Sequence, residues 1–305
     1  MTPPNGELWA YPRSMTLILG LSKPEGIYLS VDYRVTGKEL VDGQERATVL
    51  DHAAVKHLRV DYPANDAEPG VFSSGQGPTA LFAYTGLAEY GPRWKRTKIG
   101  DWLRETIRGE IESLGASLEH LKSRLDRDIA KFREGLSVGV LVIDGDRRYF
   151  LEISNLPSVK QPFEIKQLEP GRSFVIAGGS AADLVKTQGH LDRLEAELDI
   201  VRRKPAYDMK LLAVTNRRVA AADPEERVSP YCFVSFVSAD AAKRGEQSSS
   251  RIYAEGSETV PFTMRHIHHG VDLSYMAESA FEAFSRGDLP VFDPEQMQRN
   301  IDRRP

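Results

Sequence analysis

Residues 16–36 read TLILGLSKPEGIYLSVDYRVT. The runs 16–22 (TLILGLS) and 27–35 (IYLSVDYRV) are rich in aliphatic, β-branched and aromatic residues, and Lys23-Pro24-Glu25-Gly26 separates them. Pro presets φ for a turn and Gly accepts conformations that other residues resist, so this stretch predicts a β-hairpin. The preceding MTPPNGELWAYPRS holds three Pro and one Gly and shows no hydrophobic period, which makes residues 1–15 an irregular leader or a mis-assigned start.

Downstream, strands are expected at 53–61 (AAVKHLRVD) and 79–85 (TALFAYT), with the polar, Pro/Gly-rich 62–78 as a surface loop. From residue 98 the period changes. Ile99, Trp102, Leu103, Ile107 and Ile111, then Leu118, Leu121, Leu125, Ile129 and Phe132, fall on helical faces, predicting an antiparallel helix pair broken near Gly115. Strands follow at 137–143 and 148–154 around an Asp144-Gly145 turn, and another at 172–177. Helices are expected at 180–200 and at 206–221 behind Pro205, then an apolar strand at 231–237 and a last helix at 273–286. The order strands, helix pair, strands, helix pair, strands predicts an α+β fold: two stacked, mainly antiparallel sheets with a helix pair on each outer face, a four-layer αββα sandwich. A doubly wound parallel sheet needs single strands and helices in alternation, which this order lacks.

The 305 residues suggest two domains by length alone, but one sandwich over 16–240 accommodates every strand and both helix pairs, leaving 241–305 as a carboxy-terminal extension with one helix. Forty basic against 44 acidic residues give a net charge of −4, no electrostatic basis for a nucleic-acid or membrane partner. Apolar runs such as Val140 to Ile143 fall far short of the roughly 20 residues that span a bilayer. Leu17 to Leu21 is preceded by no basic n-region and followed by no small-residue cleavage site, so no secretory signal is expected. Cys232 is the single cysteine, so no internal disulfide can form; it reads as a packed core thiol, and a cytoplasmic location fits. His266-Ile267-His268-His269 has no Asp, Glu or Cys at ligand-like spacing, and Gly178-Gly179-Ser180 lacks the Lys of a phosphate loop; no metal and no cofactor are expected.

Thr16, Gly26 and Asp32-Tyr33-Arg34-Val35-Thr36 stand at the spacing of a known pattern. The segment resembles the opening of proteasome β subunits and their bacterial relatives, in the amino-terminal nucleophile (Ntn) hydrolase superfamily. The resemblance implies the αββα architecture and a threonine nucleophile, Thr16, whose own α-amine accepts the hydroxyl proton. That requires Thr16 to be residue one, through cleavage of a leader or through initiation at Met15 followed by Met removal.

By the same resemblance, Asp32 holds a lysine on the third strand. A gapless alignment puts His57 there. Strand parity instead groups Lys56 with Leu58 and Val60 on an apolar face expected to point between the sheets, so Lys56 is preferred and His57 is the substitute. Gly86, after Thr85, would supply the oxyanion N–H. The family's serine before the third helix aligns with Gly178, with Ser180 two residues on, and Glu226 and Ser229 match its Asp-x-x-Ser spacing.

The implied reaction is hydrolysis of a peptide or amide through an acyl-enzyme ester, by a homo-oligomer that could be a ring. Two other functions stay open: an inactive structural or binding subunit of the same fold, and a small-molecule amidase. Each residue also has a plain structural role available: Thr16 as a strand residue, Lys56 or His57 on a solvent face, Gly86 as a strand cap, Glu226 and Ser229 in a solvated loop.

Overall fold

In the computed structural model, residues 13–14, 16–41, 44–51, 54–64, 77–91, 95–130, 135–155, 162–168, 173–179, 181–201, 204–254 and 265–290 are described. The chain opens with β1 (Arg13–Ser14), β2 (Ile18–Lys23), β3 (Gly26–Asp32), β4 (Val35–Val41), β5 (Gln44–Asp51), β6 (His57–Asp61), β7 (Thr79–Leu87), β8 (Glu89–Tyr90) and β9 (Thr97–Lys98). Helices α1 (Ile99–Arg108) and α2 (Leu114–Asp128) follow, then β10 (Leu136–Asp144), β11 (Arg147–Ser154), β12 (Glu164–Leu168) and β13 (Phe174–Gly178). Helices α3 (Ala182–Thr187), α4 (His190–Ala196) and α5 (Ala206–Ala221) lead to β14 (Cys232–Ser238), α6 (Arg244–Gln247) and β15 (Ser249–Tyr253). Last come β16 (His266–His268), β17 (Val271–Asp272) and α7 (Leu273–Ser285).

The fold is α+β, with two large sheets. One runs β12-β11-β10-β7-β6-β16-β17, with β1 added against β7; the other runs β13-β2-β3-β14-β15. Every pairing in them is antiparallel except β16 with β6. The hairpin at 16–36 forms as β2 and β3, closed by Pro24-Glu25 between Lys23 and Gly26.

Alternation along the strands sorts the apolar side chains into three clusters. Leu58, Val60, Phe82, Val138 and Val140 pack with Trp102, Leu103, Ile107, Leu121 and Leu125 of α1 and α2. Leu19, Leu21, Tyr28 and Val234 pack with Val185, Leu194, Met209 and Leu212 of α3, α4 and α5. Ile18, Leu29 and Val31 of the second sheet meet Leu81, Ala83, Leu141 and Ile143 of the first. Burying each such side chain contributes about 1.5–3 kcal/mol, so these contacts fix how the two sheets face each other.

Several boundaries differ from the sequence expectation. The helix pair breaks at Gly109–Glu112, not near Gly115, because Ser113 caps α2 by accepting the Ala116 N–H at 3.1 Å. Gly115 therefore lies inside α2, and Ile111 in the connection. The helix expected at 180–200 is two short helices parted at Gly189, whose φ is +65°. The hairpin β4–β5 was not foreseen. Beyond residue 240, β15 extends the second sheet while β16 and β17 extend the first, in addition to α7. Among the described residues no helix is long and apolar enough to cross a membrane.

Candidate active site

Thr16 lies between β1, on the first sheet, and β2, on the second. It is buried, as are Asp32 at the end of β3 and Lys56 just before β6. The hairpin brings Asp32 back beside Thr16: Leu17 donates its N–H to Asp32 Oδ1 at 3.0 Å, and Asp32 N–H donates to the Leu17 carbonyl at 3.3 Å. Lys56 Nζ donates to Thr16 Oγ1 at 2.9 Å, to Asp32 Oδ1 at 3.3 Å and to the Arg34 carbonyl.

The chemistry follows from counting donors and acceptors. An ammonium has three N–H donors and no acceptor, and three oxygens meet it here, so Lys56 acts on Thr16 as a donor and a positive charge. It can stabilise an alkoxide at Oγ1; it does not remove the proton. Asp32 is equally committed: besides Leu17 and Lys56, its Oδ2 accepts from the N–H of Arg34 at 3.0 Å and of Ser229 at 3.1 Å. Burial pushes the Asp32 carboxyl up from its ordinary value, against the pull of Lys56 and these three N–H groups. Lys56 and Asp32 are thus engaged with each other and with the backbone around Thr16.

Ser229 is held in place from behind. Asp223 accepts from the N–H groups of Glu225 (3.3 Å), Arg227 (2.6 Å) and Val228 (3.2 Å), folding the loop that carries Ser229 toward Asp32. Asn216 Nδ2 donates to the Ser229 carbonyl at 2.8 Å. Ser229 thus reaches Asp32 through its backbone, while its hydroxyl accepts from the Tyr231 N–H at 3.1 Å. Glu226 points its exposed side chain away; its contribution is its carbonyl, which accepts from Arg34 Nη1 at 2.7 Å, and its backbone has φ +50°.

Gly86 has φ +106°, and a Cβ there would fall under 3.0 Å from the Gly135 carbonyl oxygen, so both torsion and space require glycine. Its other flank pairs with the leader: Ser14 lies opposite Gly86, and Arg13 opposite Leu87, in antiparallel register. Gly179 has φ +93°, with its α-carbon against the Thr16 carbonyl, where a Cβ would again fall under 3.0 Å.

Lys56 therefore bridges Thr16 and Asp32, and Ser229 joins Asp32 by its N–H. His57 is elsewhere: its ring stacks on Phe233 of β14, centroids 3.6 Å apart at 9°. Parity on β6 runs opposite to the expectation, for Leu58 and Val60 face α1 and α2, and it is the His57 face that looks toward the second sheet. Lys56 precedes the strand, so the path of the chain, not strand alternation, carries it to Thr16. Ser180 lies outside the described residues, as do residues 1–12 and Met15. Leu17, Asn216 and Asp223 were missed by sequence reasoning, while Arg34 stood in the quoted motif and Gly179 in the glycine step without the contacts seen here. The two glycines of 178–179 were the only signal for the close approach at Thr16, and the backbone donors carry none.

A second polar cluster forms where the sequence offered an unaccompanied histidine run. Asp61, distant in sequence, supplies the carboxylate: Oδ2 lies 2.6 Å from His266 Nε2 and 3.1 Å from His268 Nδ1. Three metal-capable groups thus converge among the described residues. The same carboxylate also binds Arg59 through Nε and Nη2, both at 3.1 Å, and Thr79 Oγ1 at 2.8 Å, while Arg244 Nη1 lies 3.3 Å from that hydroxyl. A guanidinium on the carboxylate and a second one nearby oppose a divalent cation.

No protein-family model matches the chain, and no curated protein matches it.

Proposed function

We propose that the chain is a threonine-dependent amide or peptide hydrolase of the proteasome-like Ntn type, with Thr16 as its nucleophile once residues 1–15 are removed. The observation that carries this is the buried Lys56 Nζ, 2.9 Å from Thr16 Oγ1 and 3.3 Å from Asp32 Oδ1. The three apolar clusters support the αββα layering that belongs with this chemistry.

In the unprocessed chain the Thr16 nitrogen is an amide without basicity. Attack of Oγ1 on the preceding carbonyl carbon forms an ester and breaks that C–N bond, the hydroxyl proton ending on the departing nitrogen, which becomes the free α-amine. Water then hydrolyses the ester, releasing residues 1–15 with a new carboxylate and restoring the hydroxyl. The antiparallel pairing of Ser14 with Gly86 supports this order, since it lays the leader along the strand end whose N–H groups would face a substrate carbonyl. On a second substrate, the α-amine takes the Thr16 proton, Lys56 stabilises the anionic oxygen, Asp32 fixes Lys56, and the Gly86 N–H binds the oxyanion. Self-association is part of the same proposal.

Mass spectrometry of the purified chain tests it. A mature amino terminus at Thr16, together with hydrolysis of a peptide amide that Thr16→Ala abolishes, supports the hydrolase. A chain that keeps residues 1–15 and shows no Thr16-dependent turnover is the structural subunit. The buried, chain-internal Thr16 is the observation that favours this second function.

A further inference from the structure

Without residues 265–290, β6 would be an outer strand of the first sheet, and Lys56 stands immediately before it. β16 pairs in parallel with β6, setting His266, Ile267 and His268 opposite Arg59, Val60 and Asp61. The pairing is closed at both ends by backbone bonds of 2.9 Å, from Arg59 N–H to the Arg265 carbonyl and from His269 N–H to the Asp61 carbonyl.

The segment also packs on Gly100, the glycine that the residue before Lys56 packs on. The Arg265 guanidinium binds Asp101 at the start of α1, and its Nη1 lies against Gly100. The Val55 carbonyl lies against the same glycine, which leaves no room for a Cβ between them. Arg265 and Val55 thus pack on one glycine, Gly100, and Val55 is the neighbour of Lys56 in the chain.

What holds the segment down is mostly polar. Among the described residues, Ile267 alone of 265–290 enters a hydrophobic cluster. Beyond the backbone pairing, the side-chain contacts are ion pairs, Arg104 with Glu278 at 3.2 Å, Arg108 with the buried Asp272 at 3.5 Å and Arg265 with Asp101, and the hydrogen bonds of Asp61 to His266 and His268. Attachment of this kind responds to salt and pH, whereas an apolar seam does not.

We propose that residues 265–288 are a detachable brace, with Asp61, His266 and Arg265 as positioning residues: docked, they fix the backbone at Val55 and Lys56 and so hold Lys56 on Thr16, and acid releases them. The groups facing the histidines are Asp61 and Arg59 of β6 and Thr79 of β7. Arg244 lies close by and is itself influenced by Asp144 and Asp240. Burial lowers His266 and His269 below the ordinary imidazole value of 6.5, with the hydrogen bond to Asp61 opposing this at His266. The docked form therefore holds fewer protons than the released form. Docking is complete above 6.5 and weakens as pH falls below it. Asp61, drawn down by its histidine and arginine partners against its burial, adds acid sensitivity only below 3.8.

The link to catalysis rests on the hydrolase proposal above, but the docking does not. Hydrogen exchange and amine labelling of the full chain test it in wild type and Asp61→Asn. The variant is expected to exchange about tenfold faster or more over 57–61 and 265–272, with 232–238 unchanged, and to expose Lys56 to the amine reagent. Wild type at about pH 5.5 is expected to show the same exchange pattern relative to about pH 7.5, after correction for intrinsic rates, so the test survives if the variant does not fold. Faster exchange in 265–272 with 57–61 and Lys56 unaffected makes the segment a passenger and overturns the proposal. So does an absence of any change in both variant and acid, or added Zn²⁺ slowing exchange at 266–268 in wild type. None of these readouts needs Thr16 to react, so a failed hydrolase assay and a failed brace are separate results.

Discussion

The Thr16 carbonyl rests against the α-carbon of Gly179, at φ +93°, with no space for a methyl group. Gly179→Ala must both adopt a disfavoured torsion and push the Thr16 backbone aside. Gly145 separates the two effects: its φ is +55°, but nothing lies within 4 Å of its would-be Cβ. Gly145→Ala is expected to cost about 1–2 kcal/mol in urea unfolding, the torsional term alone. Gly179→Ala is expected to cost clearly more and to abolish reaction of Thr16 with a threonine-directed probe. Equal costs for the two variants would show that the Thr16 contact yields easily.

Lys56 and Asp32 are both buried, so removing one strands the other. Lys56→Met is expected to destabilise by about 3–5 kcal/mol, because the buried Asp32 loses its cation and must either carry an unpaired charge or take up a proton. Adding Asp32→Asn to that variant should recover part of the loss, a non-additivity of about 1 kcal/mol or more in a double-mutant cycle. Reactivity separates from stability here: the double variant regains folding while Thr16 turnover stays about 10²–10³-fold down, since the donor to Oγ1 is gone. Additive losses would mean the two side chains do not act as a pair.

The local part of this architecture was legible in the sequence. Turn chemistry at Pro24-Glu25 and amphipathic spacing in α1 and α2 are short-range signals, and they put Thr16 and Asp32 on neighbouring strands. Faces were harder. Both faces of β6 are covered, one by α1 and α2 and the other by the second sheet, so alternation could not say which side looked inward, and the parity argument for Lys56 started from the wrong face. Boundaries failed where a cap decides them, as Ser113 does for α2. Contacts made by backbone N–H groups, such as Ser229 to Asp32, leave no trace in residue type. Asp61 and His266 meet across 205 positions, a distance over which spacing rules are silent.

Asp128 makes a testable contribution to acid stability. Burial would raise it, but hydrogen bonds from Arg127, Arg124 and Trp102 draw it down to about 2. Its folded value lies below the unfolded 3.8, so the stabilisation is present above 3.8 and is lost as pH falls through about 2. Asp128→Asn should therefore be less stable than wild type at about pH 6, and the gap should close near pH 2. Asp128 and Arg124 are only half-buried and Arg127 is exposed, so the gap is modest and shrinks with added salt. A gap that is unchanged between the two pH values would remove the carboxylate's charge from the account.

Cys232 competes with Thr16 for the role of nucleophile on residue type alone, and its position decides against it. It is buried in β14, directly across from Asp32 on β3. Burial pushes its thiol up to about 12, and the Asp32 charge adds to that, so the thiolate is scarce near neutrality. A disulfide reagent at about pH 8 should leave the native chain unmodified and release one equivalent once the chain is unfolded in denaturant, matching its single cysteine. Cys232→Ser should keep Thr16-dependent turnover within about twofold while Thr16→Ser retains part of it and Thr16→Ala none. Rapid native labelling, or turnover that follows Cys232 and not Thr16, would move the nucleophile to the second sheet.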